Sequence, residues 1–392
     1  MSVIKDWAYK NLKGDPVIWF IVFLLSMFSI LVVYSATGSL AYKRMGGDTE
    51  YYLIKHSALV FFSLFAMWLA HKVDYRYYAK LSRLALWLSV PLLLYTWQFG
   101  SNINEASRWI TIPFINQGFQ PSDLAKLALL VTLAAMLSKK QQSIDDFQKA
   151  IIPILLWIGL ICGLIALTNI STAVLLFATC MLVLFIGRVP VKYLAMLLVI
   201  GAISGGIALK AGQRLETAIA RVDGFIESFF NEEAIAFQAK QAYIAIATGG
   251  LTGKGPGQSD QRNYLPHPYS DFVFAIILEE YGMIGGFSVL LLYLALLYRG
   301  MKAAAESDRA YGGLLSAGLA FALVMQAVVN MGVAVGLGPI TGLPLPLISM
   351  GGTSQLFTGV AIGIILSVSR GEIDDARSPL ANQFKNNMRE AV

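Results

Sequence analysis

Asp271 stands at the head of the apolar run 272–298, directly after Tyr264-Leu265-Pro266-His267-Pro268-Tyr269-Ser270. A carboxylate at the rim of a hydrocarbon layer is costly unless it is partnered or has a task. Its chemistry would be that of a general base or a cation ligand. The plainer alternative is a helix start, with Ser270 as cap and Asp271 answering the helix dipole. Lys126 is the second charge out of place, about one turn into the apolar run that follows Phe119-Gln120-Pro121-Ser122-Asp123. It either snorkels to headgroups or meets an anion in a polar cavity. Together with Arg108 it would concentrate the positive charge that a phosphate or pyrophosphate needs. The stretch Gly249-Gly250-Leu251-Thr252-Gly253-Lys254-Gly255-Pro256-Gly257 is not a P-loop. Thr248 stands where the first glycine is required, and Gly255 follows the lysine where Ser or Thr should. Its amides and Lys254 could face an anion, though loop flexibility is the simpler reading. Glu279 and Glu280 lie about 80° and 180° around a helix from Asp271. The three carboxylates therefore cannot share one cavity without a bend, and at least one of the pair should engage another polar group. Gln238 and Gln241, a turn apart, could touch a sugar or sit on a surface helix. His56, His71 and His267 have no metal-ligand spacing, and Cys162 and Cys180 fall inside apolar runs as packed residues.

The elements that must hold these residues are membrane helices. The chain has 392 residues, 56% of them hydrophobic and 14% charged, which leaves no room for a large soluble domain. Apolar runs of roughly 20 residues, enough to cross a bilayer, recur along the whole length. The fold expected is all-α: a single polytopic membrane domain over 1–392 with ten spans. Their approximate limits are 16–37, 53–71, 81–98, 121–138, 151–168, 170–187, 191–211, 271–299, 311–336 and 351–369. The first apolar run, 17–33, reads as a retained span rather than a cleaved leader. The distribution of Lys and Arg places both termini in the cytoplasm and the segments 38–52, 99–120, 212–270 and 337–350 outside. The net charge of +6 lies mainly in short loops, so it is a topology signal and not one for nucleic acid. Within the long outer loop 212–270, residues 232–248 place Ile235, Ala239, Ala242 and Ile246 near helical spacing, as a helix lying in the interface plane would. The last outer loop is rich in proline and glycine yet apolar, so it should fold back into the bundle. The tail 370–392 is polar and charged. No repeat at 20–50 residues and no inverted repeat is visible, which weakens a transporter reading.

Taken together, the segments resemble the SEDS family (shape, elongation, division and sporulation), which includes FtsW and RodA. The resemblance is carried by Ser107-Arg108-Trp109-Ile110, residues 119–126, Gln238-Ala239-Lys240-Gln241, Tyr264-Leu265-Pro266, Ser270-Asp271-Phe272-Val273-Phe274-Ala275, Glu279-Glu280-Tyr281-Gly282 and residues 330–354. Asn330-Met331-Gly332-Val333-Ala334-Val335-Gly336 is closer to the division branch, FtsW, and Pro339-Ile340-Thr341-Gly342 to the elongation branch, RodA. Two segments depart from the family pattern. Tyr269-Ser270 replaces the usual His-Thr before the aspartate, and Leu167-Thr168-Asn169-Ile170-Ser171-Thr172 replaces Gln-Pro-Asp-Leu-Gly-Thr.

The resemblance implies a ten-helix bundle in the cytoplasmic (inner) membrane. It further implies a glycosyltransferase that polymerises lipid II into peptidoglycan on the outer face, for septal synthesis in cell division. Its partners would be a class B penicillin-binding protein and other divisome proteins, with lipid II and the undecaprenyl-linked glycan as substrates. The family's essential aspartate falls on Asp271 and its span-four lysine on Lys126. Lys126 and Arg108, with Lys254 or Arg262, would steady the leaving pyrophosphate. Gln238, Gln241 and Ser354 would contact substrate, with Glu279, Glu280 and Asn330 behind them. No cofactor is required. A divalent cation (Mg or Mn) at the pyrophosphate has a place in such chemistry, but no carboxylate cage for one is visible. Three rivals are a lipid II flippase, an elongation polymerase of the RodA kind, and a non-catalytic scaffold for a penicillin-binding protein.

Overall fold

The structure, a computed structural model, describes residues 11–45, 48–103, 106–112, 117–211 and 215–376. Its helices are α1 (Pro16–Met45), α2 (Thr49–Lys72), α3 (Tyr75–Phe99), α4 (Pro121–Lys140), α5 (Ile152–Ala166) and α6 (Ile170–Ile186). They continue as α7 (Val191–Ala211), α8 (Leu215–Glu227), α9 (Phe237–Gly249), α10 (Val273–Ala305), α11 (Ala310–Ala334) and α12 (Gly352–Ala376). The helix limits depart from the expected ones in places: 151–168 runs past both ends of α5, and 170–187, 271–299, 311–336 and 351–369 each run past one end of α6, α10, α11 and α12. Among the described residues seven helices are individually long and apolar enough to cross a membrane, and α6 and part of α7 are shorter apolar helices. α3 carries Arg76, Lys80 and Arg83 beside its apolar residues. The chain is a multi-pass membrane protein.

Short polar caps set the turns between spans. Asp48 accepts from the Tyr51 amide at 3.1 Å to begin α2, and Asp74 from the Arg76 amide at 2.9 Å to begin α3. Asn169 accepts from the Thr172 amide at 3.3 Å to begin α6. A capping side chain satisfies an amide that has no partner within its own helix. Asn169 thus serves as a neutral helix cap.

α4, α11 and α12 form the centre, and their apolar windows are mostly buried. α12 lies close along α2, where a side chain on Gly359 or Gly363 would strike the α2 backbone at Ser63 or Met67. Small residues at such a contact let membrane helices approach closely.

Two features differ from the sequence expectation. The segment 99–120, read as loop in an all-α chain, contains a three-stranded antiparallel sheet: β1 (Ser101–Ile103), β2 (Ala106–Ile112) and β3 (Gln117–Phe119), in that order. Ile110 pairs with Phe119 and Thr111 with Gly118, and a side chain on Gly118 would clash with the Trp109 ring. β-branched Ile110, Thr111 and Ile112 suit this pleat. Within 212–270, residues 237–249 do not form a free interfacial helix. α9 buries Ala242, Ala245 and Gly249, and Gly249 meets the α10 backbone at Leu278 and Glu279. The apolar stripe Ile219, Val222 and Ile226 belongs to the preceding helix, α8, and is exposed.

The loop 337–350 does return into the bundle. Leu343, Leu345, Leu347 and Ile348 are all buried. Their backbone is satisfied from several helices: Gln326 donates to the Pro344 carbonyl at 2.9 Å, Tyr293 to Pro346, and Ser29 to Ile348 at 2.8 Å.

Candidate functional site

α10 begins at Val273, with Phe272 as its N-cap and no side-chain cap. Asp271 is therefore not consumed as a cap, and the helix-start reading of Ser270-Asp271 does not hold. Its half-buried carboxylate accepts one hydrogen bond among the described residues, from Ser270 Oγ at 2.8 Å. The backbone beneath it is held from below. Asn330 Nδ2 on α11 donates to the Asp271 carbonyl at 2.9 Å and to that of Leu343 at 2.7 Å. Ser349 Oγ donates to the Ser270 carbonyl at 2.6 Å, and the Met350 amide to that of Tyr269 at 2.9 Å. A carboxylate with spare lone pairs on a pinned turn is suited to accept a proton from a bound hydroxyl.

Lys126 faces a half-open cleft of about 570 Å³, counting the part open to the surroundings. Asp123, Lys126, Gln326, Ser354 and Thr358 line it with polar groups, and Leu130, Leu175, Leu319, Leu323 and Phe357 with apolar ones. Lys126 Nζ lies 2.8 Å from Asp123 Oδ1, one helical turn away. Asp123 is 3% exposed, and its second oxygen has no partner. Gln326 and Asn330 are successive turns of α11, so one helix serves both the cleft and the Asp271 turn, and both glutamine and asparagine grip the same returning loop. The sheet meets this region near the start of α12, where the Gln120 amide donates to Thr353 Oγ1 at 3.1 Å and the Trp109 ring nears Gly352. Arg108 belongs to β2; its side chain lies outside the described residues.

Lys254 and Arg262, expected at a pyrophosphate, are engaged elsewhere. α10 breaks at Gly282, whose φ of 66° and ψ of −169° are non-helical. The break frees the Glu279 and Glu280 carbonyls and the Met283 and Ile284 amides. The glycine-rich loop pairs with all four: Lys254 and Gly255 amides donate at 2.9 Å each, and Gly250 and Leu251 carbonyls accept at 3.0 and 3.2 Å. The glycines serve close backbone approach, since a side chain on Gly253 or Gly282 would strike the other strand of this pairing. The same loop brings donors to two buried carboxylates. Glu279 receives Lys254 Nζ at 2.7 Å, Ser259 Oγ at 2.5 Å and the amides of Asp260 and Gln261 at 3.1 and 3.2 Å. Glu280 receives Ser35 Oγ and the Ser259 amide. Lys254 also meets Asp260 at 2.9 Å, and Glu279 and Asp260 together push its amine above the ordinary lysine range. Arg262 donates to the Ser35 carbonyl at 3.2 Å and hydroxyl at 3.0 Å. Buried carboxylates need counter-charge and donors, and that need explains where both cations point.

Gln238 and Gln241 are half-buried on α9, and neither side chain has a hydrogen-bond partner among the described residues. Ala242 and Ala245 of the same helix share a core with Phe272 and Tyr269, which sets α9 beside the Asp271 turn. Among the described residues no group of three or more His, Cys, Asp or Glu could hold a metal ion. Sequence reasoning missed Asp123 as the partner of Lys126, although the three-residue spacing on one helix is a legible signal. It also missed Ser349 and Gln326, whose partners are backbone atoms of a loop that hydropathy alone does not place.

The family described as Cell cycle protein (FtsW, RodA and SpoVE) matches residues 15–373. Stage V sporulation protein E of Bacillus subtilis is 32% identical, over 92% of this chain and 98% of its own. The probable peptidoglycan glycosyltransferase FtsW of Aliivibrio salmonicida is 31% identical, over 97% of this chain and 95% of its own. Among solved structures, the rod shape determining protein RodA of Thermus thermophilus superposes with a TM-score of 0.66 at 26% identity, covering 92% of this chain and 97% of that one. A chain of a peptidoglycan synthase complex that coordinates polymerization and crosslinking superposes with a TM-score of 0.71 at 25% identity, covering 92% and 98%.

Proposed function

Since the chain belongs to the family of FtsW, RodA and SpoVE, we propose that it is a peptidoglycan glycosyltransferase that polymerises lipid II on the outer face of the cytoplasmic membrane. One observation carries the reading: among the described residues the Asp271 carboxylate accepts from Ser270 alone, while Asn330 and Ser349 immobilise the turn that bears it. The acceptor sugar hydroxyl attacks the anomeric carbon of the lipid-linked donor. The bond to the diphosphate breaks, and undecaprenyl pyrophosphate departs. Asp271 takes the hydroxyl proton. Lys126 and Arg108 steady the negative charge that grows on the diphosphate. Gln238 and Gln241 offer free amides to the sugars, and Ser354 lines the polar end of the cleft. The apolar part of that cleft suits a polyprenyl chain, which keeps the substrate in the bilayer. Lys254 holds the glycine-rich loop to α10, and Arg262 ties the segment after that loop to Ser35 of α1.

The division role is favoured by the relatives named FtsW and by the segment 330–336. A transpeptidase of the class B penicillin-binding type is the expected partner, in keeping with a structural neighbour drawn from a complex that polymerises and crosslinks. A flippase needs a polar path through the bilayer. Glu279 and Glu280 are turned into the loop cluster and Lys126 is paired with Asp123, which leaves few groups to line one.

The test is polymerisation of purified lipid II by the reconstituted protein. Asp271→Asn keeps shape and hydrogen bonding but cannot take a proton, so glycan chains should disappear from the gel while folding is kept. Near-normal chain synthesis by that variant would overturn the base assignment.

A further inference from the structure

The returning loop contains a strained point. Leu347 has φ of 65°, in the left-handed region that favours glycine and that a bulky residue adopts only under constraint. Strain of this kind persists where the surroundings over-determine it, and it clusters where geometry matters for function. The next residue, Ile348, is fully buried, and its carbonyl accepts from Ser29 Oγ on α1 at 2.8 Å. Ser29 has one hydroxyl proton, which that bond uses. His56 Nε2 on α2 lies 2.7 Å from the same hydroxyl, so the imidazole must carry its proton on Nε2 and donate. Its Nδ1 is buried without a partner. Both side chains are essentially inaccessible, at 0% and 1% exposure.

The residue after Ile348 is Ser349. Its hydroxyl accepts from the Leu345 amide at 2.7 Å and donates to the Ser270 carbonyl at 2.6 Å. A line of hydrogen bonds and one peptide unit thus leads from His56 through Ser29 and the Ile348–Ser349 backbone to the peptide bond that begins Asp271. We infer that Ser29 and His56 are positioning residues for Asp271: they lock the strained Leu347–Ser349 turn, and through Ser349 that turn fixes the aspartate's backbone. Neither side chain reaches substrate. The pair acts at a distance because a buried carbonyl and hydroxyl leave no tolerance for loss of one donor. This inference rests on the proposal that Asp271 is the reaction's base.

The experiment measures kcat and KM for lipid II polymerisation by the full chain in nanodiscs, together with thermal unfolding. The variants are Ser29→Ala, His56→Leu, His56→Gln and Ser349→Ala, with Asp271→Asn as control. A displacement near 1 Å at a reacting group costs on the order of a hundredfold in rate. Ser29→Ala and His56→Leu should lower kcat about tenfold or more and leave KM within about twofold, a split that loss of substrate contacts would not give. His56→Gln retains an N–H donor of similar reach and should restore most of kcat. Ser29→Ala combined with Ser349→Ala should cost little more than the worse single change, since both act through one turn. Full kcat in folded Ser29→Ala and His56→Leu, or equal loss in His56→Leu and His56→Gln at equal stability, overturns the inference. Loss of folding in His56→Leu leaves Ser29→Ala and His56→Gln to decide it. Activity retained by Asp271→Asn would instead overturn the base assignment, so the two failures are distinguishable.

Discussion

The base role proposed for Asp271 requires lone pairs that stay uncommitted, and its neighbours bind the backbone around it. Asn330 and Ser349 bind backbone carbonyls around it, and only Ser270 donates to the carboxylate among the described residues. Lys126 is held differently, by a carboxylate 2.8 Å away that is itself buried and short of a partner. Asp123 therefore aims the ammonium and also competes with an anionic substrate for it. Asp123→Asn keeps a hydrogen-bonding oxygen but removes the competing charge. It should preserve folding and lower KM for the diphosphate-linked substrate, with kcat reduced because Lys126 is aimed less firmly. Lys126→Ala leaves Asp123 buried without counter-charge. It should cost about 3 kcal/mol or more of stability besides its loss of activity, the usual penalty for breaking a buried pair. Initial rates against lipid II concentration and thermal unfolding of each variant check both outcomes.

At the scale of elements, the break in α10 is the feature that organises the glycine-rich loop. A helix that stops hydrogen-bonding at Gly282 exposes four backbone groups, and the loop 249–255 exists in its observed shape to satisfy them. Lys254 then binds Glu279, which is fully buried, whereas Lys254 itself is 27% exposed and reached by water. Lys254→Ala should lower stability by about 1–3 kcal/mol, the penalty for a buried acceptor that loses its donor, with screening at the exposed end keeping it modest. Adding Glu279→Gln should recover part of that loss, because the stranded charge is gone. Denaturation midpoints of the two singles and the double test it, and strict additivity would refute the coupling. The amine's raised pKa means that the ion pair contributes fully below the lysine's ordinary titration and is lost only as pH rises through the higher folded value. Stability near neutral pH should therefore not vary through this pair. Gly282→Ala forces φ of 66° on a residue with a side chain and pushes that side chain into Leu251 and Gly253. It should cost at least about 1–3 kcal/mol.

At the scale of the molecule, legibility followed the range of the interactions. Spans were readable because about twenty apolar residues in a row are a local signal. Asp271 and Lys126 stood out because charge is rare in such surroundings. The sheet at 101–119 was not readable, since strands of three, seven and three residues give too little periodicity. Nor was the destination of Lys254, whose partner lies 25 residues on, or that of Ser29, 319 residues from Ile348. The cleft is likewise a product of assembly, because its walls come from α4, α6, α11 and α12 and no single segment announces it. Its division into a polar end and an apolar remainder is what a lipid-linked diphosphate sugar would match, and that match can be tested without touching a charged residue. Leu323→Trp fills the apolar part with a larger side chain while Lys126, Ser354 and the Asp271 turn keep their places. If a polyprenyl chain occupies that part, kcat/KM for lipid II should fall about tenfold or more, the scale of a pocket that loses room for a few methylenes. A donor with a much shorter prenyl chain should be affected far less, because it never reaches the added indole. Equal losses for the long and the short donor would mean that the tail lies elsewhere, on the outer surface of the helices, and the cleft would then be left with the diphosphate and sugars alone.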